Sequence, residues 1–129
     1  MNHAIKVALL GLGEVGEKFA EHFLARIQEE GVGVEIVAVA HRNLESPVAM
    51  GFVHSQVPVF QDAMEIVSLG AKVDIIFDLT GDPELRRKLR AALQASHNQH
   101  TVIAPEVMAH LLWNFFGEGV LPQSGRTGY

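Results

Sequence analysis

The stretch that decides the fold is IKVALLGLGEVG, residues 5–16, in which a short apolar run leads directly into three closely spaced glycines. After its single lysine the run is continuously apolar, as expected of a strand that is covered on both faces. The glycines, Gly11, Gly13 and Gly16, follow the pattern G-x-G-x-x-G, and a segment of helical period comes after them. This order predicts a strand, a tight turn and a helix.

The remainder of the chain alternates short apolar runs with longer segments of helical period, which is the pattern of a parallel α/β sheet. We predict an α/β fold with one doubly wound parallel sheet of about five strands, Rossmann-like, over residues 1–116, and a flexible C-terminal tail over residues 117–129. The predicted strands cover residues 5–10, 35–40, 57–60, 73–79 and 101–104. The predicted helices cover residues 14–30, 47–54, 62–69, 82–95 and 105–116.

The composition limits the classes of function. With 129 residues the chain has room for one ordinary domain, which excludes a complete two-domain enzyme. A formal net charge of -5 argues against a general binder of polyanions, and we expect no nucleic acid partner. The absence of cysteine excludes disulfides and thiolate metal sites, and it fits the reducing cytoplasm, where we expect the protein. No apolar run is long enough for a spanning helix, so no membrane partner is expected.

Each glycine of the motif has its own task in holding a dinucleotide. Gly11 would make the tight turn, Gly13 would let a pyrophosphate approach the backbone, and Gly16 would let the helix lie close to the strand. The phosphates would meet free N–H groups at a helix N-terminus, where the partial charge is positive. The alternative is a glycine-rich turn without a ligand. We predict that the cofactor is bound by Gly11, Leu12, Gly13, Glu14, Val15 and Gly16.

Four segments carry a resemblance to known proteins: VALLGLGEVGEKFAEHFL, EIVAVAHRN, VPVFQDAMEIV and VDIIFDLTGDPELRRKL. From about residue 4 to residue 104 the chain resembles the N-terminal NAD(P)-binding domain of glucose-fructose oxidoreductase-type, homoserine and aspartate dehydrogenases. The resemblance implies a Rossmann fold and NAD(P) as the ligand. Relatives in some bacterial signalling proteins use such a domain as a sensory or regulatory module.

The end of the second strand bears on the choice of cofactor. NAD-preferring domains usually place Asp or Glu there, against the adenosine ribose hydroxyls. This chain has His41 and Arg42 instead, and Glu35 lies at the wrong end of the strand. An arginine can stack on adenine and pair with a 2′-phosphate, so the pattern favours NADP over NAD. The alternative is that both are solvated loop residues.

The turn after the fourth strand, Asp78 to Gly81, is a third candidate region. In the domains that this chain resembles, the turn passes near the nicotinamide ribose, at the edge where ligands of such sheets collect. We predict that Thr80 contacts the cofactor by donating its hydroxyl and that Gly81 does so by a close backbone approach. The alternative is that Asp78 caps a local turn and Gly81 supplies a turn conformation before the Asp82 helix cap.

The segment after the fifth strand bears on catalysis. The glucose-fructose oxidoreductase group carries Glu-Lys-Pro there, with the lysine near the substrate, and homoserine dehydrogenases also place a lysine close to that point. Here the sequence reads Ala104, Pro105, Glu106 and Val107, so the lysine is missing. Glu106 could act as an acid or base, but Pro followed by Glu is also what a first helical turn prefers. No catalytic residue is assigned.

Three functions stay open on this basis. The leading hypothesis is an NAD(P)-binding module without its own substrate domain, with a regulatory or sensory role. The second is an NADP-dependent oxidoreductase completed by oligomerisation or by a partner domain, with Glu106, Thr80 or a histidine as proton donor. The third is a degenerate Rossmann interaction domain that binds another nucleotide or CoA.

Other side chains of the second half suggest an interface but no metal site. A wide apolar stripe on the helix from Pro105 to Phe116 predicts a homodimer or docking on a partner domain; the alternative is a helix packed wholly on its own sheet. His97 and His100 alone leave a tetrahedral metal site half empty, so no metal is expected. A cluster of basic residues on the preceding helix is interpreted as a solvated face: Arg86, Arg87, Lys88 and Arg90. The stripe consists of Met108, Leu111, Leu112, Phe115 and Phe116, extended by Val107 and Trp113.

Overall fold

The computed structural model describes residues 4–11, 14–30 and 33–116, with five strands, four α-helices and one 3₁₀ helix in this part of the chain. The strands are β1 Ile5–Leu10, β2 Val34–Ala40, β3 Val59–Phe60, β4 Ile75–Asp78 and β5 Val102–Ala104. The helices are α1 Glu14–Glu30, α2 Pro47–His54, the 3₁₀ helix Ala63–Lys72, α3 Pro83–Ala95 and α4 Glu106–Phe116. The tail predicted for residues 117–129 lies outside the described residues.

The five strands form one parallel sheet in the order β3-β2-β1-β4-β5. The chain winds outward from β1 in one direction through β2 and β3, and in the other through β4 and β5. This is the doubly wound topology, so the predicted α/β Rossmann-like fold is confirmed. All strands end at the same side of the sheet, which we call the carboxyl edge; the opposite side is the amino edge. In such folds the ligand crevice opens at the carboxyl edge, where the winding direction changes.

Apolar side chains cover both faces of the sheet, which explains the continuous apolar runs. On one face Val7, Leu9 and Phe77 pack with Phe19 of α1 and Trp113 of α4. The other face packs against the 3₁₀ helix and α3, and its buried cluster consists of Ala8, Leu10, Ala38, Ala40, Ile66, Val73, Ile76 and Leu89.

Strand β2 contains a bulge that the sequence pattern does not reveal. Val7 pairs with Ile36, but the next residue, Ala8, pairs with Ala38, so Val37 is an extra residue in the ladder. An extra residue reverses which face the following side chains point to. As a result Ile36 and Val39, three positions apart, lie in the same core cluster.

The predicted helix caps are present. Ser46, Asp62 and Asp82 each accept a backbone N–H in the first turn of the helix that follows, at distances of 3.0, 2.9 and 3.0 Å. The segment predicted as a helix to Leu69 is a 3₁₀ helix that continues to Lys72, with a break at Gly70, whose φ is 63°.

Helix α4 packs differently from the prediction. Trp113 is 1% exposed and lies among the core aromatic residues, with its ring 4.8 Å from that of His22. Our expectation that Trp113 extends an exposed surface is therefore wrong, because that side of the helix faces the sheet. The outer side does expose a row of large apolar residues, which we call the α4 stripe: Val107, Met108, Leu111 and Phe115. No helix in the described ranges is long and apolar enough to cross a membrane.

Candidate functional site

Buried polar side chains collect at the carboxyl edge. Among the described residues the buried polar or charged side chains are His41, Ser46, Asp78 and Glu106. His41 and Ser46 follow β2, Asp78 ends β4, and Glu106 comes two residues after β5. Burying a polar group costs free energy unless it has a hydrogen-bonding partner. Because such buried groups are typical of functional sites, their concentration makes the carboxyl edge the candidate ligand site.

Gly11 directly follows β1 at the centre of this edge, with a φ of 77°. A Cβ atom at this position would lie 2.8 Å from the backbone nitrogen of Thr80 and 2.9 Å from its Cα. Both the positive φ and the lack of space require glycine. The two chain segments that leave β1 and β4 therefore touch, which is the tight turn expected of the first glycine of the motif.

The rest of the glycine motif is only partly described. Leu12 and Gly13 lie outside the described residues, and so do the side chains of Glu14 and Val15. Gly16 is buried in the first turn of α1. The assignment of these residues to the cofactor stays a prediction.

The turn after β4 is held by Asp78. Its Oδ1 accepts the Thr80 N–H at 3.1 Å and the Thr80 hydroxyl at 2.5 Å, and the Asp82 N–H donates to Thr80 Oγ1 at 3.1 Å. Gly81 has a φ of 66°. The alternative of a capped local turn is therefore confirmed for Asp78 and Gly81. The Thr80 hydroxyl hydrogen is engaged with Asp78, so a contact of Thr80 and Gly81 with the cofactor stays a prediction.

Arg86 belongs to this edge, although its neighbours in sequence had suggested a solvated position. Its side chain is 13% exposed, and Nε lies 3.6 Å from Asp78 Oδ2. The expectation of a solvated face is wrong for Arg86 because the first turn of α3 starts beside the end of β4 and leads this side chain back over it. It holds for Arg87, whose side chain is 72% exposed, and for the exposed Lys88 and Arg90.

His41, predicted to bind the cofactor, points inward. The Asn43 N–H donates to its Nδ1 at 2.9 Å, which leaves the ring hydrogen on Nε2. Nε2 then donates to Glu17 Oε2 at 2.8 Å and lies 3.1 Å from Ser46 Oγ. The ring therefore joins α1 to the loop between β2 and α2, and a direct contact between His41 and a ligand stays a prediction.

Arg42 is one of the exposed residues of this loop. Its carbonyl oxygen accepts the side-chain amide of Gln61 at 3.2 Å. Among the described carboxylates, none forms a salt bridge with the Arg42 guanidinium. The positive charge thus lies in solvent at the end of β2, and its role in binding stays a prediction.

Glu106, considered as an acid or base, is fully buried in the first turn of α4. Its Oε1 lies 3.5 Å from Nε2 of His110, one helical turn further on. This placement fits the structural interpretation of Glu106 as part of the first helical turn, and its role as an acid or base stays an open alternative.

Comparison with known proteins identifies the domain. Residues 11–110 match the family model of the homoserine dehydrogenase NAD-binding domain. The chain belongs to this family. The match extends over the turn after β1, the loop after β2 and the turn after β4, which are the three regions described above. No curated protein matches the chain significantly.

Solved structures show the same fold. Homoserine dehydrogenase from S. aureus superposes with a TM-score of 0.61 at 23% identity, over 92% of this chain and 31% of that one. The enzyme from Thiobacillus denitrificans gives 0.54 at 28% identity, over 91% and 27%. Apo scyllo-inositol dehydrogenase from Lactobacillus casei gives 0.51 at 18% identity, over 90% and 34%. The chain thus spans about a third of the length of these proteins.

The family assignment makes NAD(P) the cofactor of this domain, as the resemblance had implied. The described residues fit such a ligand. The positive φ of Gly11 and its contact with Thr80 provide the turn that a dinucleotide fingerprint requires, and the charge of Arg42 lies where the adenosine end is bound in this fold.

Proposed function

We propose that this chain binds NADP(H) in preference to NAD(H) at the carboxyl edge. In this proposal cofactor binding is coupled to the interaction with a partner, and the chain does not itself catalyse hydride transfer. The observation that carries the proposal is a difference in solvent exposure between two side chains at this edge. Arg42 presents a solvated positive charge at the end of β2, whereas Glu106, the acid that follows β5, is buried.

Different residues at this edge would contact different parts of the ligand. The turn at Gly11 and the N-terminus of α1 would hold the pyrophosphate through backbone N–H groups. Arg42 would pair with the 2′-phosphate, since a guanidinium binds phosphate through two parallel hydrogen bonds. The turn at Thr80 and Gly81 would lie beside the nicotinamide ribose. The bound cofactor supplies a hydride donor or acceptor.

The chemistry beyond binding would come from elsewhere. Hydride transfer requires a second reactant held against the nicotinamide and a group that moves a proton. Glu106 is buried, and the hydrogen of the Thr80 hydroxyl is engaged with Asp78. We therefore propose a regulatory or sensory module rather than a catalyst, with the cytoplasm as its expected compartment.

A second candidate is the cofactor half of an NADP-dependent dehydrogenase that a second subunit or a further domain completes. It is favoured by the family and by the solved structures that share the fold, which are dehydrogenases. Oxidation of NADPH by the purified chain with a panel of small carbonyl and imine compounds separates the two. Turnover by the chain alone would contradict the module.

Titration calorimetry with NADP, NADPH, NAD and NADH tests the binding itself. We expect Arg42→Ala to weaken binding of NADP by about 1 to 3 kcal/mol, roughly 5- to 150-fold, and to leave binding of NAD nearly unchanged. The matched control is Arg90→Ala, which removes an exposed arginine on α3. No binding of any of the four at millimolar concentration would refute the proposal, and equal losses for NADP and NAD would show that Arg42 does not bind the 2′-phosphate.

The partner surface that we propose is the α4 stripe, occupied by a second copy of the chain. Leu111 and Phe115 are 49% and 76% exposed, and a contiguous apolar surface of this kind favours association. Light scattering should show a dimer that Leu111→Glu with Phe115→Glu dissociates. The control is Met50→Glu with Val53→Glu, which alters similarly exposed residues on α2. A monomeric wild-type chain would refute the dimer.

A further inference from the structure

The loop between β2 and α2, residues 41–46, is held from inside by the ring of His41. The bulge at Val37 reverses the alternation of β2, so that Val39 and then His41 face α1. The ladder with β3 continues through the His41 N–H, which donates to the Phe60 carbonyl at 2.8 Å. The side chain of His41 is 9% exposed and has polar partners at both nitrogens.

These contacts fix the backbone on both sides of Arg42. On one side His41 is anchored to β3 and to Glu17. On the other side the Asn43 N–H donates to the His41 ring, and the Asn43 carbonyl accepts the Ser46 N–H at 3.2 Å. The backbone is therefore held in place on both sides of Arg42, whose side chain is exposed.

The second partner of the ring, Glu17, connects the loop to the other half of the site. Glu17 lies one turn into α1, the helix that follows the glycine motif. The His41 ring thus links the helix expected to face the pyrophosphate with the loop expected to face the adenosine.

We propose that His41 is a positioning residue that sets the preference for NADP by holding Arg42 toward the 2′-phosphate. This inference rests on the proposed function, because it assigns the source of a specificity that the proposed function assumes. His41 need not touch the ligand in this role. It acts through two directed hydrogen bonds, one accepted from Asn43 and one donated to Glu17.

Two substitutions of His41 separate these hydrogen bonds, because each substitution keeps one bond and removes the other. In His41→Asn the side-chain oxygen occupies the branch of Nδ1 and can still accept the Asn43 N–H. In His41→Gln the terminal amide reaches the place of Nε2 and can still donate to Glu17, but nothing accepts from Asn43. If the bond from Asn43 holds the loop, the Gln variant should disturb Arg42 more than the Asn variant does.

The experiment measures dissociation constants for NADP and NAD by titration calorimetry, with the NAD to NADP ratio of these constants as the readout. We expect His41→Gln to lower this ratio about tenfold, mainly by weakening NADP, and His41→Asn to lower it threefold or less. His54→Gln is the matched control, since His54 is exposed at the end of α2. A residue with a purely structural role would weaken both dinucleotides together and leave the ratio unchanged.

Thermal unfolding followed by circular dichroism shows which variants are folded. If both His41 variants unfold, Glu17→Ala decides, because the side chain of Glu17 is 31% exposed and its loss leaves the core intact; we expect the ratio to fall about threefold. An unchanged ratio in folded His41→Gln, or in Glu17→Ala where that variant decides, overturns the role of His41 while leaving the proposed function in place. A wild-type chain that binds neither dinucleotide overturns both, and one that binds the two equally tightly overturns the preference.

Discussion

The two edges of the sheet use polar side chains in opposite ways. At the carboxyl edge His41 and Asp78 are buried and bonded to loop backbone. At the amino edge Asp74 accepts the Lys6 N–H at 2.8 Å and contacts Nε2 of His100, whose side chain is 55% exposed. Exposed pairs contribute little because water and salt screen them, whereas a buried group that loses its partner is costly. The carboxyl edge is therefore where a single substitution should affect stability and binding together.

The largest effect is expected at Gly11. Substitution by alanine imposes a positive φ on a residue with a side chain and drives Cβ against the backbone of Thr80. We expect a loss of roughly 2 to 5 kcal/mol in the free energy of unfolding, measured by urea denaturation, together with loss of dinucleotide binding. Gly51→Ala is the control: it has open space in α2 and should be neutral or slightly stabilising. Equal stability of the two variants would contradict the tight turn.

The next largest effect is expected for the aspartate at the carboxyl end of β4, compared with the aspartate at its amino end. Asp78→Ala removes the partner of the largely buried Arg86 side chain and the acceptor for Thr80, and should cost about 3 to 5 kcal/mol of unfolding free energy. Asp74→Ala, at the amino edge, should cost much less. Adding Arg86→Leu to Asp78→Ala should recover part of the loss, because it removes the unpaired charge. Similar losses for Asp78→Ala and Asp74→Ala would remove the distinction between the edges.

How much of this could be predicted depends on how local each signal is. The caps Ser46, Asp62 and Asp82 and the turn at Gly11 lie within a few residues of the elements they start or end, so the sequence pattern located them. The doubly wound order followed from the alternation of strands and helices. The assignment of the domain to NAD(P) rested on the glycine motif in that setting.

The rest depends on contacts between distant segments. The bulge at Val37 interrupts no apolar pattern, so the inward position of His41 could not be inferred. The burial of Arg86 requires Asp78 from the preceding strand. Trp113 is covered by α1, which a helical periodicity alone does not show. In each case the burial of the side chain depends on which element of the fold packs beside it.

The smallest effect is the pH dependence at the amino edge. The hydrogen bond from the Lys6 N–H, and the contact with His100, lower the pKa of Asp74. A carboxyl group whose pKa is lower in the folded chain stabilises it above the unfolded pKa of about 3.9, and this contribution is lost as pH falls through the folded pKa. The urea midpoints of wild type and Asp74→Asn should therefore differ at pH 6 to 7 and converge toward pH 3. A difference independent of pH would exclude ionisation of Asp74 as its source.

Amide hydrogen exchange with and without NADPH tests the central claim, binding at the carboxyl edge, most directly. Binding should slow exchange in peptides that cover residues 10–20, 41–46 and 79–82, because the ligand orders and covers the turns that follow β1, β2 and β4. Peptides from the amino edge, residues 70–74 and 96–102, should exchange at the same rate in both samples. Protection at the amino edge alone, or no protection at saturating NADPH, would contradict the account.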